Sequence, residues 1–277
     1  MSDLYQLTLV LGPHSRTALS LNDLVRSMRA PLRRAGVNAM PNRVASPLLR
    51  RSLEVHRPPG ERRAEFCAQV GQGASVLSAV GMFGPAQNGL QRGALLPNAA
   101  DAVKGLDDVL GPVRVVVCLD SLTRFFLATG SDVLEARVRR QEWESLYELS
   151  WVPFVEIIRE AFPESEVIVL TPRTSAVRSP VVLERLLGAE TVGVVDPLAL
   201  LKRAVTQTGV AVLDRMLKDG VPDEATLNEV YDSFAETPTQ DDLLDRLGVD
   251  KLTATLLDQR FEEDVAKLET LSSVETL

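Results

Sequence analysis

The most constraining feature of this chain is how abruptly its opening apolar run gives way to a helix. Leu4-Tyr5-Gln6-Leu7-Thr8-Leu9-Val10-Leu11 reads as a buried strand, and Gly12-Pro13-His14-Ser15-Arg16-Thr17 breaks it. Beyond the turn, Leu21, Leu24, Val25, Met28, Leu32 and Ala35 recur at helical spacing, and Gly36 stands where a helix stop belongs. A strand feeding a helix through a small-residue turn makes an anion site. The first amides of the helix lack intrahelical partners, and the helix dipole is positive there.

The same alternation continues along the chain. Helices are predicted over 41–55, 61–70, 99–110, 122–127, 133–162 and 181–187. Trp143, Leu146, Trp151, Phe154 and Ile158 are expected to be buried, and Pro153 to bend its helix. Strands are predicted over 75–83, 113–119, 166–170 and 191–195. The polar, glycine-rich stretch 84–98 is longer than most connections, as functional loops often are. Strands alternating with helices imply a three-layer α/β/α fold around a mostly parallel sheet. In such sheets ligands sit at the carboxyl ends of the strands, which is where the Gly12–Thr17 turn falls. The expected division is an α/β domain over 1–200 and an acidic helical extension over 201–277 packed on it. In that extension Leu252, Leu256, Leu257, Phe261, Val265 and Leu268 form one apolar face, and Glu262-Glu263-Asp264 a solvated one.

The net charge of −8 is unevenly spread. From residue 220 onward four Lys+Arg face fifteen Asp+Glu, whereas the span from Arg26 to Arg63 holds ten arginines against Glu54 and Glu61. Such an arginine-rich region suits an anionic nucleotide or an acidic acceptor, and a solvated helix face accounts for it as simply. The acidic extension offers a surface to a protein partner. Nucleic-acid binding is not expected. No apolar run reaches the roughly 18 residues of a membrane span, and the N-terminus has no secretory pattern. Cys67 and Cys118 are too few for a disulfide framework, so a reduced, cytoplasmic setting is expected. His14, His56 and the two cysteines lie too far apart to suggest a metal site. The G-x-x-x-x-G-K-[ST] signature of ATP-binding loops is absent.

Leu11-Gly12-Pro13-His14, followed by a polar turn and a helix, resembles the phosphate-binding loop of bacterial sulfotransferase-like proteins, a P-loop family that uses PAPS. The resemblance implies that Gly12, Pro13, Ser15, Arg16, Thr17 and Ala18 cradle the 5'-phosphosulfate. Ser15 stands where the family has its lysine and Thr17 where it has a glycine. The family's arginine and serine for the 3'-phosphate, eight residues apart, correspond to Ser121 and Thr129 or, one strand later, to Thr171 and Ser179. Ser78 matches a serine after the second strand, with Val80 in place of an acid. Residues 257–265 are similar to the family's closing helix.

These departures bear on chemistry. A cation at the bridging oxygen stabilises charge that a serine hydroxyl does not, and one such donor is worth roughly 10²–10³ in rate. Arg16, one position along, is the candidate replacement. His14 either serves the reaction or orders the turn, and His56 either acts as a base or sits in solvent. Arg173 and Arg178 either reach a nucleotide or lie on the surface; Thr17, Ser20 and Asn22 cap the first helix, bind ligand, or do both. Two readings follow: a PAPS-dependent sulfotransferase acting on a hydroxyl of a glycan or similar acceptor, and a non-catalytic binding module on the same scaffold.

Overall fold

The computed structural model describes residues 6–13, 15–53, 57–71, 73–83, 90–91, 94–129, 148–271 and 274–277. The expectations at His14, His56, Trp143, Leu146 and most of 84–98 fall outside these residues, as does the side chain of Thr129. One sheet of parallel strands organises the molecule. Its members are β1 (Leu7–Leu11), β2 (Asn38–Met40), β3 (Ser75–Ser78), β4 (Arg114–Cys118), β5 (Glu166–Leu170) and β6 (Val274–Thr276). They lie in the order β2-β3-β1-β4-β5-β6. Register is set by pairs such as Leu9 with Leu77 and Val115, and Val116 with Ile168.

The helices are α1 (Arg16–Ser27), α2 (Arg29–Arg34), α3 (Asn42–Ser52), α4 (Pro59–Val70), α5 (Ala99–Val103), α6 (Asp107–Leu110) and α7 (Leu122–Thr129). They continue as α8 (Val152–Ala161), α9 (Pro172–Val177), α10 (Ser179–Leu187), α11 (Ala199–Ala204), α12 (Gln207–Met216), α13 (Glu224–Phe234) and α14 (Lys251–Glu269). Strand residues alternate between two cores, as the pleat requires. Leu9, Leu11, Val115, Val117, Val167 and Val169 pack with α3 to α8 and α14. Val10, Val116, Cys118, Ile168 and Leu170 pack with α1, α2 and α10. A third cluster joins α9, α11, α12 and α13 beside the sheet. The chain is therefore α/β in three layers, and its helical C-terminal region returns to the sheet through β6.

Several local expectations need correction. The first helix divides at Met28, because Pro31 offers no N–H to the preceding turn. The helix predicted over 99–110 divides near Gly105, whose φ is +76°. The strand predicted over 75–83 ends at Ser78. Residues 191–195 form no strand of the sheet: Gly193 has a φ of +83°, Val192 is 73% exposed, and only a lone Val192–Val195 bridge remains. Pro153 sits in the first turn of α8, where its missing N–H costs nothing. Leu252 and Leu256 are exposed, whereas Asp264 is fully buried on the inner face of α14.

Candidate anion site at the carboxyl edge of the sheet

The connection leaving β1 runs to one side of the sheet and the connection leaving β4 to the other. A crevice therefore opens between the carboxyl ends of these neighbouring strands, the place where such sheets hold ligands. Gly12 directly follows β1 at this edge. A Cβ there would stand 2.6 Å from the carbonyl oxygen of Cys118, so the passage of β1 past β4 already demands glycine.

The start of α1 is occupied from within. Ser15, fully buried, caps the helix: its Oγ accepts from the N–H of Ala18 at 3.1 Å. Asp120, just beyond β4 and also fully buried, accepts the N–H of Arg16 at 3.0 Å through Oδ2 and that of Ser121 at 3.1 Å through Oδ1. Burial pushes the Asp120 carboxyl up to about 6, against the opposing pull of the Arg124 cation, the two N–H donors and the Arg16 charge. Its carbonyl accepts from the indole of Trp151 at 2.9 Å, which ties the corner to the large core. Thr17 and Ala18 are buried behind it. The cap is thus Ser15, not Thr17, Ser20 or Asn22, and Asn22 instead accepts the N–H of Asn42 at 2.8 Å.

The guanidinium of Arg16 points away from the turn. It donates to the carbonyls of Glu236 at 3.3 Å and Arg203 at 3.2 Å, and pairs with the Glu236 carboxylate. Arg124 donates to the same Glu236 carbonyl at 3.1 Å, and Arg246 donates to the carbonyl of Leu127 at 2.8 Å. Together Arg16, Arg124 and Arg246, with Glu236, Asp242 and Pro238, line an open cleft of about 340 Å³. None of the ten arginines between Arg26 and Arg63 lines it.

The remaining candidates have structural work. Ser121 accepts the N–H of Arg124 at 3.4 Å at the start of α7. Thr171 forms a reciprocal cap with Thr174, and Ser179 donates to the Pro197 carbonyl at 2.7 Å. Arg173 lies 5.5 Å over the ring of Tyr231 and bonds Asp232 and Asn228, while Arg178 stands 3.5 Å from Glu224. The Ser78 hydroxyl is buried at the end of β3 with no partner among the described residues. A larger cavity of about 600 Å³ lies at the amino edge of the sheet, beside Arg114, Arg185, Glu184 and Glu275. Each of its arginines has a carboxylate partner, Arg114 with Glu166 and Arg185 with Glu275 at 2.6 Å and Arg178 with Glu224 at 3.5 Å, whereas Arg124 and Arg246 in the smaller cleft donate to carbonyls.

Sequence reasoning missed Asp120, Arg124, Glu236 and Arg246. Asp120 carried a signal, being an acid set between an apolar strand and the next helix. Glu236 and Arg246 carried none, since they reach the edge only through the tertiary fold. Among the described residues no group of three or more His, Cys, Asp or Glu side chains is placed to hold a metal, and no helix is long and apolar enough to cross a membrane. The chain matches no protein-family model, no curated protein and no solved structure.

Proposed function

We propose that this chain is a sulfotransferase-like scaffold that binds an anionic ligand at the carboxyl edge of its sheet without transferring a sulfuryl group. The observation that supports this reading is the Asp120 carboxylate on the first amide of α1, where the resemblance would put the phosphosulfate. Two like unit charges about 4 Å apart repel by about 4 kcal/mol at an effective dielectric of 20, and a phosphosulfate brings more than one. A hydrogen bond to a charged group returns only about 1.5–3 kcal/mol. Arg16, the candidate replacement for the lysine, is turned outward onto Glu236, so no cation faces the turn from that position. The surviving capacity is anion binding by guanidinium groups.

Incubation with sulfur-labelled PAPS and a mixture of hydroxyl-bearing glycans tests this. The expected result is no labelled product and no consumption of PAPS. Labelled product that disappears in Arg16→Ala would overturn the reading and establish a transferase.

A further inference from the structure

Glu236 sits in the arginine cleft in the manner of a ligand. Its carboxylate pairs with Arg16, and its carbonyl receives one N–H from Arg16 and one from Arg124. Yet its backbone is fixed independently, because the Glu236 N–H donates to the Ala204 carbonyl at 3.0 Å beside the Val205–Ala235 bridge. The carboxylate can therefore leave by side-chain rotation alone. We propose that Glu236 is a built-in competitor, and that the cleft takes a phosphate monoester which displaces it.

Charge selects the ligand class. Among the described residues three guanidinium groups and two carboxylates line the cleft, and Asp242 is already held by the N–H and hydroxyl of Thr239 at 3.0 and 2.7 Å. A monoanion exchanging with Glu236 gains no charge. A phosphate monoester at neutral pH carries nearly two charges and three acceptor oxygens, which matches donors converging from α1, α7 and the turn before α14. The cleft volume suits a small ligand. Arg16 and Glu236 are 37% and 50% exposed, so the pair they form is screened and cheap to break.

This inference rests on the binding reading above and fails separately from it: sulfuryl transfer from PAPS overturns that reading, whereas the experiment here addresses only the competitor. Titration calorimetry of the full chain with phenyl phosphate at pH 7.5 and low salt should detect binding. Glu236→Gln should bind about fivefold tighter, since one screened ion pair no longer opposes the ligand. Arg124→Ala should bind at least about tenfold weaker, and phenyl sulfate, a monoanion, more weakly than phenyl phosphate. Melting curves of the two variants that match the parent establish that both fold. Equal affinity of Glu236→Gln and the parent, unchanged affinity of Arg124→Ala, equal binding of phenyl sulfate, or no binding at millimolar phenyl phosphate would each overturn the proposal.

Discussion

Asp120 is the residue on which the site turns. A carboxyl with no solvent exposure is held by two N–H donors yet has its pKa raised from 3.8 to about 6, since burial outweighs those donors and the Arg124 charge. Between those two pH values the folded chain binds more protons at this position than the unfolded chain. The stability contributed by the protonated form is therefore fully present below 3.8 and lost as pH rises through 6. Relative to Asp120→Asn, the parent is expected to lose about 2 kcal/mol of unfolding free energy between pH 4 and 6.5, by urea titration at each pH. Parallel curves for the two proteins would contradict this. At the residue scale the sequence was half legible. Gly12 and Ser15 were picked out for a ligand, but backbone crowding against Cys118 and helix capping explain them without one. Hydrogen-bond partners more than a hundred positions apart, as for Arg16 and Asp120, leave no local pattern to read.

At the scale of elements, the strongest periodicities were the most faithful. Beyond their first residues, Arg114 and Glu166, β4 and β5 are continuous apolar runs because both of their faces are buried, and each lies inside its predicted span. β2 and β6, with three residues each, are too short to carry a period and were missed. α14 shows how a helical face can mislead. Asp264 belongs to its buried side because it accepts the N–H of Trp151 and the hydroxyl of Ser150, both at 2.7 Å, at the start of α8. Asp264→Ala leaves that N–H buried and unpaired next to the largest buried side chain of the core. A loss of about 3 kcal/mol is expected in urea unfolding, with α8 losing hydrogen-exchange protection first. A loss below about 1 kcal/mol would mean that water replaces the carboxylate.

For the whole molecule, strand order is what creates the site. β1 and β4 are neighbours whose connections diverge, and the end of α11 and the segment after α13 bring Arg203 and Glu236 over the resulting crevice. Arg16, Arg124, Glu236 and Arg246 thus share one cleft although they span most of the chain. The α/β class could be argued from alternating periods, whereas the cleft follows from topology, which periods do not specify. An internal carboxylate, that of Asp120, fills the start of α1. The most direct measurement is a pH titration of the backbone amide resonances by nuclear magnetic resonance. The Arg16 and Ser121 amides should shift together with a midpoint near 6, in step with the Asp120 carboxyl carbon. Amides that ignore the Asp120 titration, or an Asp120 midpoint near the ordinary 3.8, would contradict the account.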